Sequence, residues 1–153
     1  MTAIVDTNVL LYASDRDSPF HERSNDWLVT TLAGAGSVGF SWVAMLGFAR
    51  IATNPRIMRS PATSDEAFDV IDDWLSQPGA VIVHPTPSHA SVVRQLLRSA
   101  GTAANLVNDA HIAALALEHH ASVCSFDSDF ERFEGIRRFE PFASPSPTIE
   151  SNP

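Results

Sequence analysis

Along the chain, short apolar runs alternate with stretches of helical spacing, and breakers separate them. Ala3-Ile4-Val5 is a brief apolar run ending in Asp6, and residues 7–13, TNVLLYA, continue from Thr7 and Asn8, which are placed to start a helix. The pattern predicts a buried strand over 3–6 with a strand-to-helix junction at Asp6 to Asn8. Pro19 opens a second helical pattern in which Trp27, Leu28, Thr31 and Leu32 share a face, and the run AGAGSVG at 33–39 reads as its flexible close. Phe40 to Ala52 has apolar positions nearly all round, which predicts a well-buried helix ended by Asn54-Pro55.

A third helix is expected over 64–75, where Ser64-Asp65-Glu66 combines a cap with first-turn acids, and Gln77-Pro78-Gly79 breaks it. Ala80 to His84 reads as a buried strand, residues 88–100 as a helix stopped by Gly101, and residues 106–119 as a last long helix. Ser122 to Ser125 predicts another strand, leading into FDSDF at 126–130, and Arg137 to Glu140 a final edge strand. Strands separated by helices define an α/β protein whose parallel sheet is covered on both faces. One domain is expected over 1–142, and the polar, Pro-rich stretch within 143–153 is expected to be a disordered tail.

The composition narrows the chemistry. A 153-residue chain with a 44% hydrophobic fraction suits one globular domain. No apolar run nears the roughly 20 residues of a membrane span, and the N-terminal sequence lacks a signal pattern, so a cytoplasmic protein is expected. The lone Cys124 sits in an apolar run, which excludes an intramolecular disulfide or a cysteine-based zinc cluster and predicts core packing. Every basic residue is arginine. Without lysine there is no Walker-type phosphate loop, no Schiff-base chemistry and no lysine partner for an acyl phosphate. A net charge of -8 argues against a broad basic footprint on nucleic acid. It leaves room for a nuclease whose clustered carboxylates are offset by bound metal.

In open parallel sheets, ligands gather beyond the carboxyl ends of the strands. Asp6 ends the first strand, Asp127 and Asp129 follow a later one, and Asp109 falls in the first turn of the last long helix. Taken singly, each acid has a plain structural role: a helix cap at Asp6, a dipole partner at Asp109, an Asx turn in FDSDF. Brought to one rim, they raise one another's pKa values unless a cation compensates, and an oxygen-only set suits magnesium or manganese. The histidines show no metal-ligand spacing. His111 faces away from Asp109 on a regular helix, and His119-His120 sits at a helix C-terminus. Trp27, Trp42 and Trp74 fall in apolar helical patterns, which favours core or interface packing over base stacking.

The segments VDTNVLLYA at 5–13, FARIATNPRI at 48–57, NLVNDAHIAALA at 105–116 and SFDSDF at 125–130 together resemble the PIN-domain ribonucleases, and among them the VapC-type toxins of bacterial toxin–antitoxin pairs. The resemblance covers the chain to about Phe142. It implies a three-layer α/β/α fold with a central parallel sheet, and an Mg2+-dependent endoribonuclease, with Mn2+ as substitute, that cleaves RNA by metal-activated water. It also implies a cognate VapB-type antitoxin in the active-site groove. It carries metal-binding acids onto Asp6, Asp109 and Asp127, with Asp129 as a helper, and the polar positions that orient them onto Asn8 and Ser125. The family generally has a further acid, usually Glu, where this chain has Gly47. That departure favours one ion, with Asp129 or water filling in. Arg50 follows Gly47 by about one turn and is placed to meet an RNA phosphate, to pair with a site acid, or to stand exposed.

Two functions follow. A nuclease requires a divalent cation and Asp6, whereas a scaffold impaired at Gly47 binds RNA or a protein partner without cutting. The survival of Asp6, Asp109 and Asp127 favours the nuclease. A silenced toxin needs a partner, and Phe40 to Ala52 with the Trp27/Leu28/Leu32 face offers apolar surface for an antitoxin or a homodimer.

Overall fold

A computed structural model describes residues 1–101 and 104–142. Strand β1 (Thr2–Val5) leads into helix α1 (Thr7–Ser14), and α2 (His21–Thr30) continues through a wide turn at Thr31–Ala35 into β2 (Ser37–Phe40). Helices α3 (Trp42–Ala52) and α4 (Ser64–Leu75) precede β3 (Ala80–Ile82), and α5 (His89–Ala100) and α6 (Val107–Glu118) precede β4 (Ser122–Cys124). A 3-10 turn at Ser128–Arg132 and β5 (Arg138–Phe139) follow.

All five strands run parallel in the order β3-β2-β1-β4-β5. The period-two alternation of β1 sorts the core into two layers. Ala3 and Val5 pack with α1 to α4 on one face, together with Phe40, Phe48 and Cys124. Ile4 packs on the other, with α6 residues Ala110, Ala113 and Leu115, Leu96 of α5, and Val123. The observed architecture is the expected α/β/α sandwich, and the expected burial of Cys124 holds.

The sheet order locates the ligand crevice. From β1 the chain builds outward through β2 and β3, then returns to place β4 and β5 on the opposite side of β1. The order therefore reverses between β1 and β4, where the connections diverge and leave a crevice at the strands' carboxyl ends. Asp6 and Ser125 are the residues immediately after those two strands.

Three expectations need correction. The run AGAGSVG does not stay flexible, since Ser37–Phe40 is an interior strand; Phe40 belongs to it, and Ser41 caps α3 by accepting from the Ala44 N–H at 3.2 Å. Gly39 blurs that strand in the sequence, and it sits in a tight place: a Cβ there would stand 2.7 Å from Ile4 Cδ1, so the Ile4 side chain would have to shift. The run from Ala80 is an edge strand whose Val81 and Ile82 are exposed, with Val83 buried just beyond. Trp27, Leu28 and Leu32 lie in the core of the monomer and offer no surface to a partner. The tail expected over 143–153 lies outside the described residues. Among the described residues, no helix is long and apolar enough to cross a membrane.

Candidate metal centre at the carboxyl ends of β1 and β4

Asp6 sits at the end of β1 in an extended conformation that frees its side chain to cap α1. Its Oδ1 accepts from the Thr7 N–H at 2.8 Å and its Oδ2 from the Ser125 hydroxyl at 2.7 Å. Ser125, fully buried after β4, uses its whole hydrogen-bonding capacity here. Its one proton goes to Asp6, and its oxygen accepts from the Asp127 N–H at 3.0 Å and from Asn8 Nδ2 at 3.3 Å. The other end of the Asn8 amide accepts from the Phe126 N–H at 3.3 Å, so both ends of that side chain bind the loop after β4 to α1.

Two further groups pin the loop. Phe126 packs against Tyr12 and Phe20, with ring centroids 5.4 and 4.8 Å away, and the Arg23 guanidinium lies 5.4 Å from its ring. Arg138 of β5 donates to the Ser125 carbonyl at 3.1 Å and pairs with Glu131 at 2.7 Å. Asp127 then accepts from the Asp129 N–H at 2.9 Å, the Asx turn that starts the 3-10 turn. This turn bends Asp129 back toward the same rim as Asp127.

Asp109, Asp127 and Asp129 each offer a carboxylate oxygen, and these oxygens lie within 4.8 Å of one another. Asp6 stands beside them with both oxygens already engaged by protein donors. The three gathered acids are half-buried and Asp6 is buried. Burial raises the Asp6 pKa against the lowering by Ser125 and Thr7, and the Asp127 charge adds to the rise. Asp109 is pushed up to about 7 by burial and by the charges of Asp127, Asp6 and Asp129. A cluster of carboxylates whose charges raise the Asp109 carboxyl fits a hard divalent cation, which would favour the charged form of Asp109. The plain structural roles of Asp6 and Asp127 are present as well, so capping and clustering coexist in the same side chains.

Gly47 and Arg50 occupy the α3 side. A Cβ on Gly47 would stand 2.7 Å from Thr7 Oγ1, and that hydroxyl is held by its bond to the Ala44 carbonyl at 3.0 Å. The helix contact between α1 and α3 thus fills the space a longer side chain would enter. Arg50 is exposed, and among the described residues its guanidinium makes no ion pair or hydrogen bond, so pairing with a site acid is not what the structure contains.

Sequence reasoning passed over a second polar cluster. His89 Nδ1 meets Glu118 Oε2 at 2.5 Å, and His89 Nε2 meets His111 Nδ1 at 2.7 Å. Glu118 also accepts from the Thr86 N–H at 3.1 Å and from the Thr86 hydroxyl. The seven-residue spacing of His111 and Glu118, one helix face over two turns, was the available signal; His89 arrives from another helix and left none.

The PIN domain family profile matches residues 3–136 of this chain. Ribonuclease VapC37 of Mycobacterium tuberculosis (strain ATCC 25618 / H37Rv) is 51% identical over 138 residues, 90% of this chain and 96% of that protein. Ribonuclease VapC33 of Mycobacterium tuberculosis (strain CDC 1551 / Oshkosh) is 36% identical over 138 residues, with the same 90% and 96% coverage. The fold is shared with VapBC2 from Rickettsia felis, solved bound to a DNA fragment from their promoter, at TM-score 0.68 and 17% identity over 92% of this chain and 98% of that one. It is also shared with Mycobacterium tuberculosis VapC20, a Sarcin-Ricin loop cleaving toxin, at TM-score 0.64 and 16% identity over 90% and 99%. The chain belongs to the PIN-domain family. Within that family its relatives of 51% and 36% identity place it among the VapC ribonucleases.

Proposed function

We propose that the protein is a Mg2+-dependent endoribonuclease, able to use Mn2+, that acts as the toxin of a VapBC-type pair in the cytoplasm. The observation that carries this reading is the convergence of Asp109, Asp127 and Asp129 within ion-binding distance in the β1/β4 crevice. In this reading Asp109 and Asp127 hold the ion and Asp129 assists. Asp6, with an oxygen lone pair on each side still free of the Thr7 and Ser125 bonds, completes the negative field and is available as a further ligand.

A divalent ion there supplies a nucleophilic water at neutral pH and charge stabilisation at the phosphodiester. The remaining work belongs to the chain. Ser125 and Asn8 fix the acids in place, burial keeps bulk water from screening them, and the deprotonation of Asp109 accompanies ion binding. Exposed Arg50, in the last turn of α3 and without an ion pair among the described residues, is a candidate contact for a substrate phosphate. Gly47 offers no side-chain ligand, which favours one protein-held ion over two.

A toxin of this kind requires a silencing partner. An acidic crevice suits a basic segment of a VapB-type antitoxin, whose Arg would enter the carboxylate cluster. The exposed Trp42 and Leu46, one turn apart on α3, supply an apolar patch for that partner or for a second copy of the chain.

The test is incubation of a mixed cellular RNA pool with purified protein in Mg2+, Mn2+ or EDTA, alongside Asp6→Asn. Cleavage that needs both the ion and Asp6 is the expected result. Full activity in excess chelator, or in the variant, overturns the metal mechanism, and intact RNA in every arm with antitoxin-free folded protein moves the non-cleaving scaffold to first place.

A further inference from the structure

Helices α5 and α6 enclose a groove of about 740 Å³ that contrasts with the acidic charge of the whole chain. Arg94 and Arg98, four apart on α5, stand exposed along one side, and His89 and His111 line it as well. Its floor is apolar, from Val93 and Leu97. Among the described residues no carboxylate lines the groove, and neither arginine takes part in an ion pair. In a protein of net charge -8, two unpaired guanidiniums four residues apart make a local field of the opposite sign.

The histidines are held rather than loose. Glu118, with only 4% of its side chain exposed, receives His89 Nδ1 at 2.5 Å, and His89 in turn fixes His111 through its other nitrogen at 2.7 Å. Burial would raise Glu118, but the bonds from Thr86 and His89 outweigh it and keep the carboxyl below its ordinary value. This carboxylate ends α6, where the helix dipole disfavours a negative charge, so its local cost is met by the bonds it makes. With Nδ1 of His111 engaged, its Nε2 is the ring nitrogen left for a ligand in the groove.

Position ties the groove to the acids. Val107 and His111 line it from the first turns of α6, and Asp109 lies between them in sequence on the other side of the same helix, toward Asp127 and Asp129. A strand leaving this groove for the candidate metal centre would have to pass around α6, the helix both share. We propose that the α5/α6 groove is the binding track for the ribose-phosphate backbone of a single-stranded RNA segment, with Arg94 and Arg98 contacting phosphates and the Glu118-supported His89–His111 pair fixing the strand at the entrance to the crevice. This inference rests on the ribonuclease reading for its substrate class. A guanidinium pair matches consecutive phosphates, and an apolar floor accepts ribose and base faces.

The experiment is fluorescence anisotropy of a labelled single-stranded RNA on the full chain in EDTA, titrated over a range of salt. It compares the unaltered protein with Arg94→Glu/Arg98→Glu, the charge-conserving Arg94→Lys/Arg98→Lys, and a control reversal at Arg56 and Arg59. Loss of two phosphate contacts lowers the salt slope by about 1.4 for a single strand. The glutamate pair is expected to weaken binding roughly tenfold or more and to flatten the slope by about that amount, with the lysine pair and the control near the unaltered protein. Equal affinity and slope for the glutamate pair, or no RNA binding by the unaltered protein, overturns the proposal. So does a change confined to particle mass in sedimentation equilibrium, which would make the groove a protein interface. Failure of the ribonuclease reading looks different: RNA stays intact in Mg2+ and Mn2+ while binding in EDTA still depends on Arg94 and Arg98.

Discussion

Asp109 shows how one side chain couples stability to the ion. Its pKa in the folded protein, about 7, exceeds the ordinary carboxylate value of 3.8. Between those values the native state holds a proton that the unfolded chain has lost, so this group's contribution to stability falls as pH rises from about 4 toward 7. Below 3.8 both states are protonated, so the contribution is fully present and no longer changes with pH. Metal-free protein is therefore expected to lose more Tm between pH 4.5 and 7.5 than Asp109→Asn does, and Mg2+ at neutral pH should raise the Tm of the unaltered protein and leave the variant's nearly unchanged. Equal pH slopes for the two proteins would refute this account. Ser125 makes a second residue-scale case. Ser125→Ala removes the hydrogen bond to Asp6 and leaves the Asp127 N–H and Asn8 Nδ2 without their acceptor. A stability loss of roughly 1–3 kcal/mol by urea unfolding and a cleavage rate lower by about 10–100-fold are expected.

Elements were read from the sequence with uneven success, and the causes are local. Helix α4 matches its expected span of 64–75, with the expected acids in its first turn, but its cap is Thr63 rather than Ser64: Thr63 and Glu66 form a reciprocal capping box, and Ala67 and Ile71 make a buried stripe. Helices α5 and α6 fall within a residue of their expected bounds, where periodicity and Gly101 set the limits. Strand β2 was hidden because Gly39 packs closely against Ile4 in its interior, and glycine erases the alternation by which strands are recognised. Gly47 is the same kind of contact between helices. A variant Gly47→Glu places a Cβ against the fixed Thr7 hydroxyl. It is expected to cost roughly 1–3 kcal/mol by chemical denaturation and to give no gain in Mg2+-dependent cleavage, whereas a stable variant with higher activity would show that a second acid fits.

At the scale of the molecule, partner surfaces depend on which apolar side chains the fold leaves outside. Trp27, Leu28 and Leu32 are consumed by the core, while Trp42 and Leu46 remain about half exposed, at 45% and 52%. Trp42→Ala with Leu46→Asp should change Tm little, as is usual for surface positions, and should weaken capture of a VapB-type antitoxin by at least roughly tenfold in a calorimetric titration. Unchanged affinity with loss of self-association would assign that face to a dimer instead.

Class and components were already legible in the order of the residues. Apolar runs separated by helical periods require an α/β layered sheet, and no lysine or cysteine chemistry competes with the carboxylates. Position at the breaks between elements singled out Asp6, Asp109, Asp127 and Asp129 as candidates, and the resemblance to the PIN-domain family added Asn8 and Ser125. How they meet follows from the packed fold. The reversal of sheet order at β1 and β4 brings the residues after two distant strands together, and Ser125 connects Asp6 to Asp127 across more than a hundred residues of chain. Phe126, Arg138 and His89 carry no local signature, since hydrogen bonds and ring contacts between separate elements leave no period in the sequence. Local propensity can be read from neighbours along the chain; the electrostatics of a site depend on neighbours in space, and those exist only once the layers have packed.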